Sequence, residues 1–248
     1  MGRSDTSHMG WVFVWDFDWS MLDCANTDFF IYEQLEQSEL SEKLAEQSRA
    51  PENIDRFTAL VDECLGELAA RGVRRADLEA ALRLAPMSAS MIEAVKCINA
   101  NGGAQHIVSD ANAVFIAEIL RARGIEGFFA SVHTNGAEWD GHRLRVTPHQ
   151  ASVSSGRHGC QLCPPNLCKG NVLDSMLLDG TRIAYVGDGS GDVCAALRLR
   201  SDDVVLAREG FPLLHSLQTG ELGCKARTIP WGDAEALLAC VRGLLGTS

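Results

Sequence analysis

Apolar residues along the chain follow two patterns, which predict an alternation of strands and helices. Short apolar runs at Trp11–Trp15, 104–108 and 181–186 are typical of strands buried on both faces of a parallel sheet. Apolar positions spaced three or four residues apart over 53–70 and 233–245 indicate helices. This alternation predicts an α/β fold with a parallel sheet.

Weaker patterns complete the predicted elements. Helical spacing is present at 26–46, 75–79, 91–100, 111–123, 169–178 and 192–199. A short strand is predicted at 204–206, and 147–167 is predicted to be irregular. Segments 128–132 and 139–146 predict a β-hairpin arm, with Asn135-Gly136 and Asp140-Gly141 as turn signals.

The segment from about 27 to 90 differs from its surroundings, because it contains helical patterns and no convincing strand. We interpret it as a small helical cap inserted after the first strand. The catalytic core would then comprise 10–26 and 91–248. The alternative is that these helices simply pack on the sheet. Residues 1–9 are polar and without pattern, and are interpreted as a tag remnant rather than a signal peptide.

Composition excludes several classes of protein. The 248 residues are 46% hydrophobic and 22% charged, as in ordinary globular proteins. A net charge of −11 argues against a nucleic-acid partner, and no apolar run approaches the roughly 20 residues that span a bilayer. Nine cysteines, an odd number, favour reduced thiols and a cytoplasmic location. The oligomeric state is left open by the sequence.

Two carboxylates stand directly after the first predicted strand. Asp16 and Asp18 lie where open α/β sheets place their chemistry, at the carboxyl end of a strand. One can attack phosphorus as a nucleophile while the other transfers a proton, and both offer hard oxygens to Mg²⁺. A solvated acidic loop is the alternative.

Two later positions could bind a phosphoryl group. Ser109 stands where a strand is predicted to end and a helix to begin, and a hydroxyl beside free helix N–H groups suits phosphate. Lys169 stands at a predicted helix start and could neutralise a phosphate. The alternatives are that Ser109 or Asp110 only caps the helix and that Lys169 is a solvated lysine.

A glycine-rich turn with two acids, Gly187-Asp188-Gly189-Ser190-Gly191-Asp192, follows the strand at 181–186. The glycines allow close approach of the backbone, and the acids suit hexacoordinate Mg²⁺. We therefore predict metal binding by Asp188 and Asp192, with a tight turn capped by aspartates as the alternative.

The order of these pieces resembles the four-part layout of the haloacid dehalogenase superfamily of phosphatases. Three segments, Asn26-Thr27-Asp28, Ser109-Asp110-Ala111-Asn112 and Cys163-Pro164-Pro165-Asn166-Leu167-Cys168-Lys169-Gly170, resemble the phosphoethanolamine/phosphocholine phosphatase family. This resemblance implies a Rossmann-like core with a small helical cap. One departure is Ser20, where superfamily members usually have threonine or valine.

The same resemblance implies roles for the residues. Asp16 would be the nucleophile, Asp18 the general acid and base, and Ser109 and Lys169 the phosphate ligands. Asp16, Asp18, Asp188 and Asp192 would hold Mg²⁺. The reaction would be hydrolysis of a small-molecule phosphate ester through an aspartyl-phosphate.

The sequence constrains the leaving group of the ester less than it constrains the phosphoryl chemistry. Asp28 and Asp110, which the resemblance places beside the phosphoryl chemistry, would suit a cationic group such as ethanolamine or choline, unless both are only helix caps. The alternatives are a pyridoxal phosphate or thiamine monophosphate phosphatase, or a pyrophosphatase. Outside the enzymes, the alternatives are a binding module with a relic site or a metal-binding regulatory protein.

A group of metal-ligand residues lies just before Lys169. His158, Cys160, Cys163 and Cys168 fall within eleven residues, a spacing that matches zinc knuckles. His149 and Cys194 are possible substitutes in this set. The alternative to a structural zinc ion is a group of reduced thiols packed in a loop.

Overall fold

The computed structural model describes residues 10–23, 26–53, 55–149, 158–164, 166–177, 180–220 and 222–247. The proposed tag remnant at 1–9 and Cys24 lie outside these ranges. Across the described ranges, no helix combines the length and apolar character needed to cross a bilayer.

The described residues form one seven-stranded sheet. Its strands are β1 (Trp11–Trp15), β2 (Ala104–Asn112), β3 (Ser131–Asp140), β4 (Arg143–Thr147), β5 (Arg182–Gly187), β6 (Val204–Arg208) and β7 (Arg227–Trp231). Their order is β4-β3-β2-β1-β5-β6-β7, and every neighbouring pair is parallel except β3 with β4. The predicted α/β class with a mostly parallel sheet is confirmed.

Helices connect and cover these strands. They are α1 (Thr27–Gln34), α2 (Ser38–Arg49), α3 (Phe57–Ala70), α4 (Arg75–Leu82), α5 (Ala89–Ala100), α6 (Ala113–Ala122), α7 (Lys169–Asp174), α8 (Val193–Ala196), α9 (Pro212–Gln218) and α10 (Ala234–Leu245). Alternation along the central strand β1 supplies both faces of the sheet: Phe13 and Trp15 enter one apolar cluster and Val14 enters another.

The position of β1 determines where polar side chains meet. It pairs in parallel with β2 on one side and β5 on the other, so that Phe13 lies opposite Gln105 and Ala184. The carboxyl ends of these three strands therefore share one edge of the sheet. Asp16, Ser109 and Asp188 all lie in the last residues of these strands or directly after them.

Helices α1 to α4 follow β1 without an intervening strand in the described part of 27–90. Helix α3 contacts the antiparallel arm of the sheet. There the Asp62 carboxylate accepts hydrogen bonds from Arg143 Nη2 and from the Val146 backbone N–H, both at 2.9 Å. Helix α3 and the hairpin therefore pack directly against each other.

The predicted Asn135-Gly136 turn is wrong, whereas a turn does follow Asp140 at Gly141, whose φ is 61°. Strand β3 passes through Asn135 and Gly136 and changes partner there, from parallel β2 to antiparallel β4. Gly136 is required because of a close contact and not because of a turn. A Cβ at this position would stand 2.5 Å from Thr147 Oγ1.

Two further boundaries differ from prediction. Strand β2 continues to Asn112, whose side chain caps α6 by accepting from the Phe115 N–H at 3.0 Å, so neither Ser109 nor Asp110 is the cap. Helix α9 and strand β7 were not predicted. Pro230 obscures β7, yet a proline is tolerated because β7 is an edge strand.

Candidate active site

Asp16 is fixed at the end of β1 by its backbone. Its N–H donates to Val186 O at 2.9 Å, which extends the pairing of β1 with β5 by one residue. The side chain is buried, and burial raises its pKa while the positive charge of Lys169 opposes that shift. A buried carboxylate in this position needs cationic partners to remain ionised.

Lys169 provides one such partner. It is the first residue of α7, is 5% exposed, and donates from Nζ to Asp16 Oδ1 at 2.5 Å and to Asp192 Oδ1 at 2.8 Å. Although burial opposes the charged form, Asp16 and Asp192 raise the pKa of Lys169 well above its usual value. The structure thus brings the predicted lysine directly to the predicted nucleophile.

Asp18 has a different environment from Asp16. Its carboxylate accepts from the Thr27 N–H at 3.0 Å and the Thr27 hydroxyl at 3.5 Å, at the start of α1. Burial raises the pKa of Asp18 to about 7, against the lowering effect of these hydrogen bonds. A carboxyl group with a pKa near neutrality suits general acid and base chemistry.

Ser20 was noted in the sequence only as a departure from the superfamily pattern, but its hydroxyl joins two acids. Its Oγ donates to Asp188 Oδ1 at 3.1 Å and lies 3.4 Å from Asp16 Oδ2. Burial and then the charge of Asp192 raise the pKa of Asp188 to about 6. The acidic side chains at the ends of β1 and β5 are therefore connected through the buried Ser20 hydroxyl.

Asp192 uses all of its acceptor capacity within the protein. Its Oδ1 accepts from Lys169 Nζ and from Tyr185 OH at 2.6 Å, and its Oδ2 accepts from the N–H groups of Asp188 at 3.0 Å and Gly189 at 2.9 Å. A carboxylate offers about four lone-pair sites. Tyr185 was missed from the sequence, where a tyrosine within an apolar strand signals a hydroxyl that needs a buried partner.

The acidic group fits a divalent cation. Oxygen atoms of Asp16, Asp188 and Asp192 all lie within 4.8 Å of one another. Such hard donors suit Mg²⁺, and a cation would relieve the repulsion among buried acids. Because Asp192 is saturated, Asp16 and Asp188 have the free lone pairs. The Asp18 carboxylate, predicted as a further ligand, faces Thr27 instead.

Ser109 and Asp110 lie at the end of β2. Ser109 is buried, and its Oγ accepts from the Ala111 N–H at 3.1 Å. Burial raises the pKa of Asp110, and Lys169 opposes this shift. Asn135, a residue that sequence reasoning missed, donates to Asp110 O at 2.6 Å and accepts from Asn166 Nδ2 at 2.5 Å.

A cleft opens beside these residues. An outer cavity of about 260 Å³ is lined by Asn26, Asp55, Phe57, Thr58, Asp110, Pro164 and Asn166. A narrower pocket, too small to hold a water molecule, shares Phe57, Thr58 and Asp110 with this cavity and is also lined by Asp28. Asp28 is 3% exposed, and its Oδ1 has no hydrogen-bond partner in the part of the chain that the structure describes. Burial and then the charge of Asp18 raise the pKa of Asp28 to about 8.

The predicted zinc ligands are only partly brought together. The sulfur atoms of Cys160, Cys163 and Cys168 group with that of Cys194, all within 4.8 Å. His158 is outside this group, and its Nε2 lies 2.8 Å from Pro164 O. His149, the other proposed substitute, instead places Nδ1 3.0 Å from Thr134 O.

Known proteins resemble the chain over nearly its whole length. Two relatives from Arabidopsis thaliana are a thiamine phosphate phosphatase-like protein, 32% identical over 90% of this chain and 91% of its own, and inorganic pyrophosphatase 2, 33% identical over 90% and 80%. Two Homo sapiens relatives are pyridoxal phosphate phosphatase PHOSPHO2, 32% identical over 83% and 85%, and phosphoethanolamine/phosphocholine phosphatase, 27% identical over 90% and 85%.

Solved structures show the same fold. Apo phosphoserine phosphatase matches with a TM-score of 0.57 at 15% identity, over 95% of this chain and 97% of its own. The model of the family described as "Putative Phosphatase" matches residues 11–245. The chain therefore belongs to this phosphatase family, has the fold of haloacid dehalogenase hydrolases, and is a phosphoric monoester hydrolase that acts on small phosphate esters.

Proposed function

We propose that this phosphatase depends on Mg²⁺, forms an aspartyl-phosphate on Asp16, and prefers esters whose leaving group is cationic, such as phosphoethanolamine and phosphocholine. The observation that carries the substrate class is Asp28, a buried acid with an unpartnered oxygen in the pocket beside Asp110. Burial raises the pKa of Asp28 to about 8, and a cationic ligand beside it would stabilise the ionised form.

The cavity that adjoins the Asp28 pocket, with which it shares Phe57, Thr58 and Asp110, supports a small leaving group. A volume of about 260 Å³ is just below the range of roughly 300–1,000 Å³ typical of ligand pockets. Phe57 offers an aromatic face, and such faces attract quaternary ammonium groups. A positive charge about 4 Å from a carboxylate gains roughly 1 to 4 kcal/mol, which corresponds to tens- to hundreds-fold in substrate preference.

The chemistry assigns one step to each acid. Asp16 attacks phosphorus in line while Asp18 donates its proton to the departing alkoxide oxygen. Asp18 then removes a proton from water, which attacks the aspartyl-phosphate, releases phosphate and restores Asp16. Lys169 balances the charge of Asp16 and the phosphoryl oxygens, and Asp192 holds the Lys169 ammonium group in place.

The metal would be held by Asp16 and Asp188, with Asp192 beside them. When bound, Mg²⁺ supplies positive charge that offsets repulsion between the nucleophile and a phosphate dianion. Ser20 orients both carboxylates from its position between them.

A second substrate class is favoured by the relatives. Proteins 32% identical to this chain carry the names of pyridoxal phosphate and thiamine phosphate phosphatases, and a third is named a pyrophosphatase. Thiamine monophosphate also has a cationic leaving group, but this group is larger than ethanolamine or choline. Comparing these esters therefore separates the effect of charge from the effect of size.

We expect kcat/KM for phosphoethanolamine and phosphocholine to exceed that for glycerol phosphate by about tenfold or more. Asp28→Asn and Asp110→Asn should each reduce this preference about tenfold, because each removes a carboxyl group whose ionised form a bound cation would stabilise. The measurement is kcat/KM for these esters, thiamine monophosphate, pyridoxal phosphate and pyrophosphate in the three proteins.

Asp202→Asn is the matched control, since Asp202 is an exposed acid in the turn before β6. It should leave the preference unchanged. A wild-type preference for glycerol phosphate, pyridoxal phosphate or pyrophosphate, or equal losses on cationic and neutral esters in both pocket variants, would contradict the cationic pocket.

Removal of divalent metal is expected to abolish turnover. After exhaustive treatment with EDTA and buffer exchange, activity should fall to background and return on addition of Mg²⁺. Ca²⁺ should not restore it, because Ca²⁺ prefers more ligands and longer bonds than Mg²⁺. Full activity in the chelated protein would contradict the assignment.

A further inference from the structure

A second group of metal-ligand atoms lies outside the active-site acids. Cys160 and Cys163 belong to the segment before α7, Cys168 immediately precedes α7, and Cys194 belongs to α8. We propose that these four thiolates bind one structural Zn²⁺ ion, with Cys194 rather than His158 as the fourth ligand.

The sulfur positions match a tetrahedral site. A Zn–S bond of about 2.3 Å gives sulfur–sulfur separations of roughly 3.8 Å around a tetrahedron. Cys194 Sγ lies 3.4 Å from Cys160 Sγ and 3.8 Å from Cys168 Sγ, and all four sulfur atoms lie within 4.8 Å of one another. All four are free thiols, so no disulfide competes for them.

The chain around the four thiols allows their sulfur atoms to lie close together. Two residues separate Cys160 from Cys163, the spacing with which a single turn supplies two zinc ligands. Where α7 meets α8, a Cβ at Gly170 would stand 2.5 Å from Cys194 Sγ and 3.1 Å from Cys194 O. A side chain at position 170 would therefore displace the Cys194 sulfur.

Burial and charge also fit a closed structural site. Cys168 and Cys194 are buried and the other two thiols are half-buried, and four protein ligands would leave no coordination position for substrate. Four thiolates around Zn²⁺ carry a net charge of −2, and the positive charge of Arg198 interacts with Cys194. His158 is engaged with a backbone carbonyl instead.

The consequence for the enzyme is local. Cys168 is directly followed by Lys169, so the ion would anchor the residue before the lysine that contacts Asp16. Zinc would also join the segment from 158 to 168 to α8, using ligands up to 34 residues apart. Its role would be structural, since all four ligands are protein thiolates.

Zinc content of protein purified without added metal tests the proposal. We expect inductively coupled plasma mass spectrometry to find about one equivalent of zinc per chain. Cys160→Ser and Cys194→Ser should lower it to below about one fifth of an equivalent, because each removes a ligand from a closed site. Cys97→Ser and Cys240→Ser, which change half-buried thiols outside the group, should retain the full equivalent.

Two measurements on the wild type keep the test decisive if a variant fails to fold. Growth with Co²⁺ in place of Zn²⁺ should give the thiolate charge-transfer and visible bands of tetrahedral cobalt. Modification of the thiols with a mercurial should release one zinc ion to a chromogenic chelator. Metal-free protein with all thiols freely titrating, or with an intramolecular disulfide by mass, would overturn the proposal.

A comparison of two variants tests which residue is the fourth ligand. Loss of zinc in His158→Ala together with its retention in Cys194→Ser would overturn the four-cysteine set. None of these outcomes bears on the phosphatase chemistry, which uses carboxylates and Lys169.

Discussion

Asp16→Asn is expected to lower kcat by at least about three orders of magnitude on every phosphate ester, because an amide cannot replace the carboxylate nucleophile. The fold should be retained, since the Asp16 N–H still donates to Val186 O and the amide oxygen can still accept from Lys169. The measurement is kcat for nitrophenyl phosphate and phosphoethanolamine, with thermal unfolding as the check on folding.

Acid-quenched wild-type enzyme should also carry a phosphoryl group on Asp16 by peptide mass. Asp202→Asn, with the same change of charge in an exposed turn, should retain wild-type kcat. A folded Asp16→Asn protein with more than a small fraction of wild-type rate would show that another residue is the nucleophile.

Asp18→Asn is expected to slow the hydrolysis of alkyl phosphates by about 10²- to 10⁴-fold, since their leaving alkoxides need a proton. Nitrophenyl phosphate, whose leaving group is stable as an anion, should lose much less in the step that forms the aspartyl-phosphate. The amide oxygen can still accept from the Thr27 N–H, so the start of α1 should keep its position.

Burst kinetics separate the two steps for the nitrophenyl ester. The variant should show rapid release of one equivalent of nitrophenol followed by slow turnover, because Asp18 also activates water. Equal losses for both esters in the first step would contradict the role of Asp18 as the acid.

Residues whose position depends on local pattern could be predicted from the sequence. Asp16 and Asp188 directly follow apolar strands, and parallel strands present their carboxyl ends together. The structure accordingly brings them within reach of one cation, and Lys169 onto Asp16. The α/β fold followed from the same strand patterns.

Residues whose partners are distant in sequence could not be placed. The saturation of Asp192 depends on Lys169, 23 residues earlier, and Cys194, which the sequence offered only as a substitute ligand, lies 34 residues after Cys160. No spacing rule connects such pairs, because the packing of separate elements brings them together.

Some residues that are required for packing resemble sequence signals for a different structure. Asn135-Gly136 matches a hairpin turn, but Gly136 is needed because Thr147 lies so close to it. Pro230 argues against a strand only until β7 is known to be at the edge of the sheet.

The contact between α3 and β4 limits how the cleft can open. Arg143 packs across Gly66 on α3, with its guanidinium carbon 2.9 Å from where a Cβ would stand, and bonds Asp62 from the same face. If the helices lift alone, they must break this ion pair and the Val146 hydrogen bond. If the hairpin travels with them, β3 must bend near Gly136, where it exchanges one partner strand for the other. Substrate entry that requires such a movement would therefore deform the edge of the sheet itself.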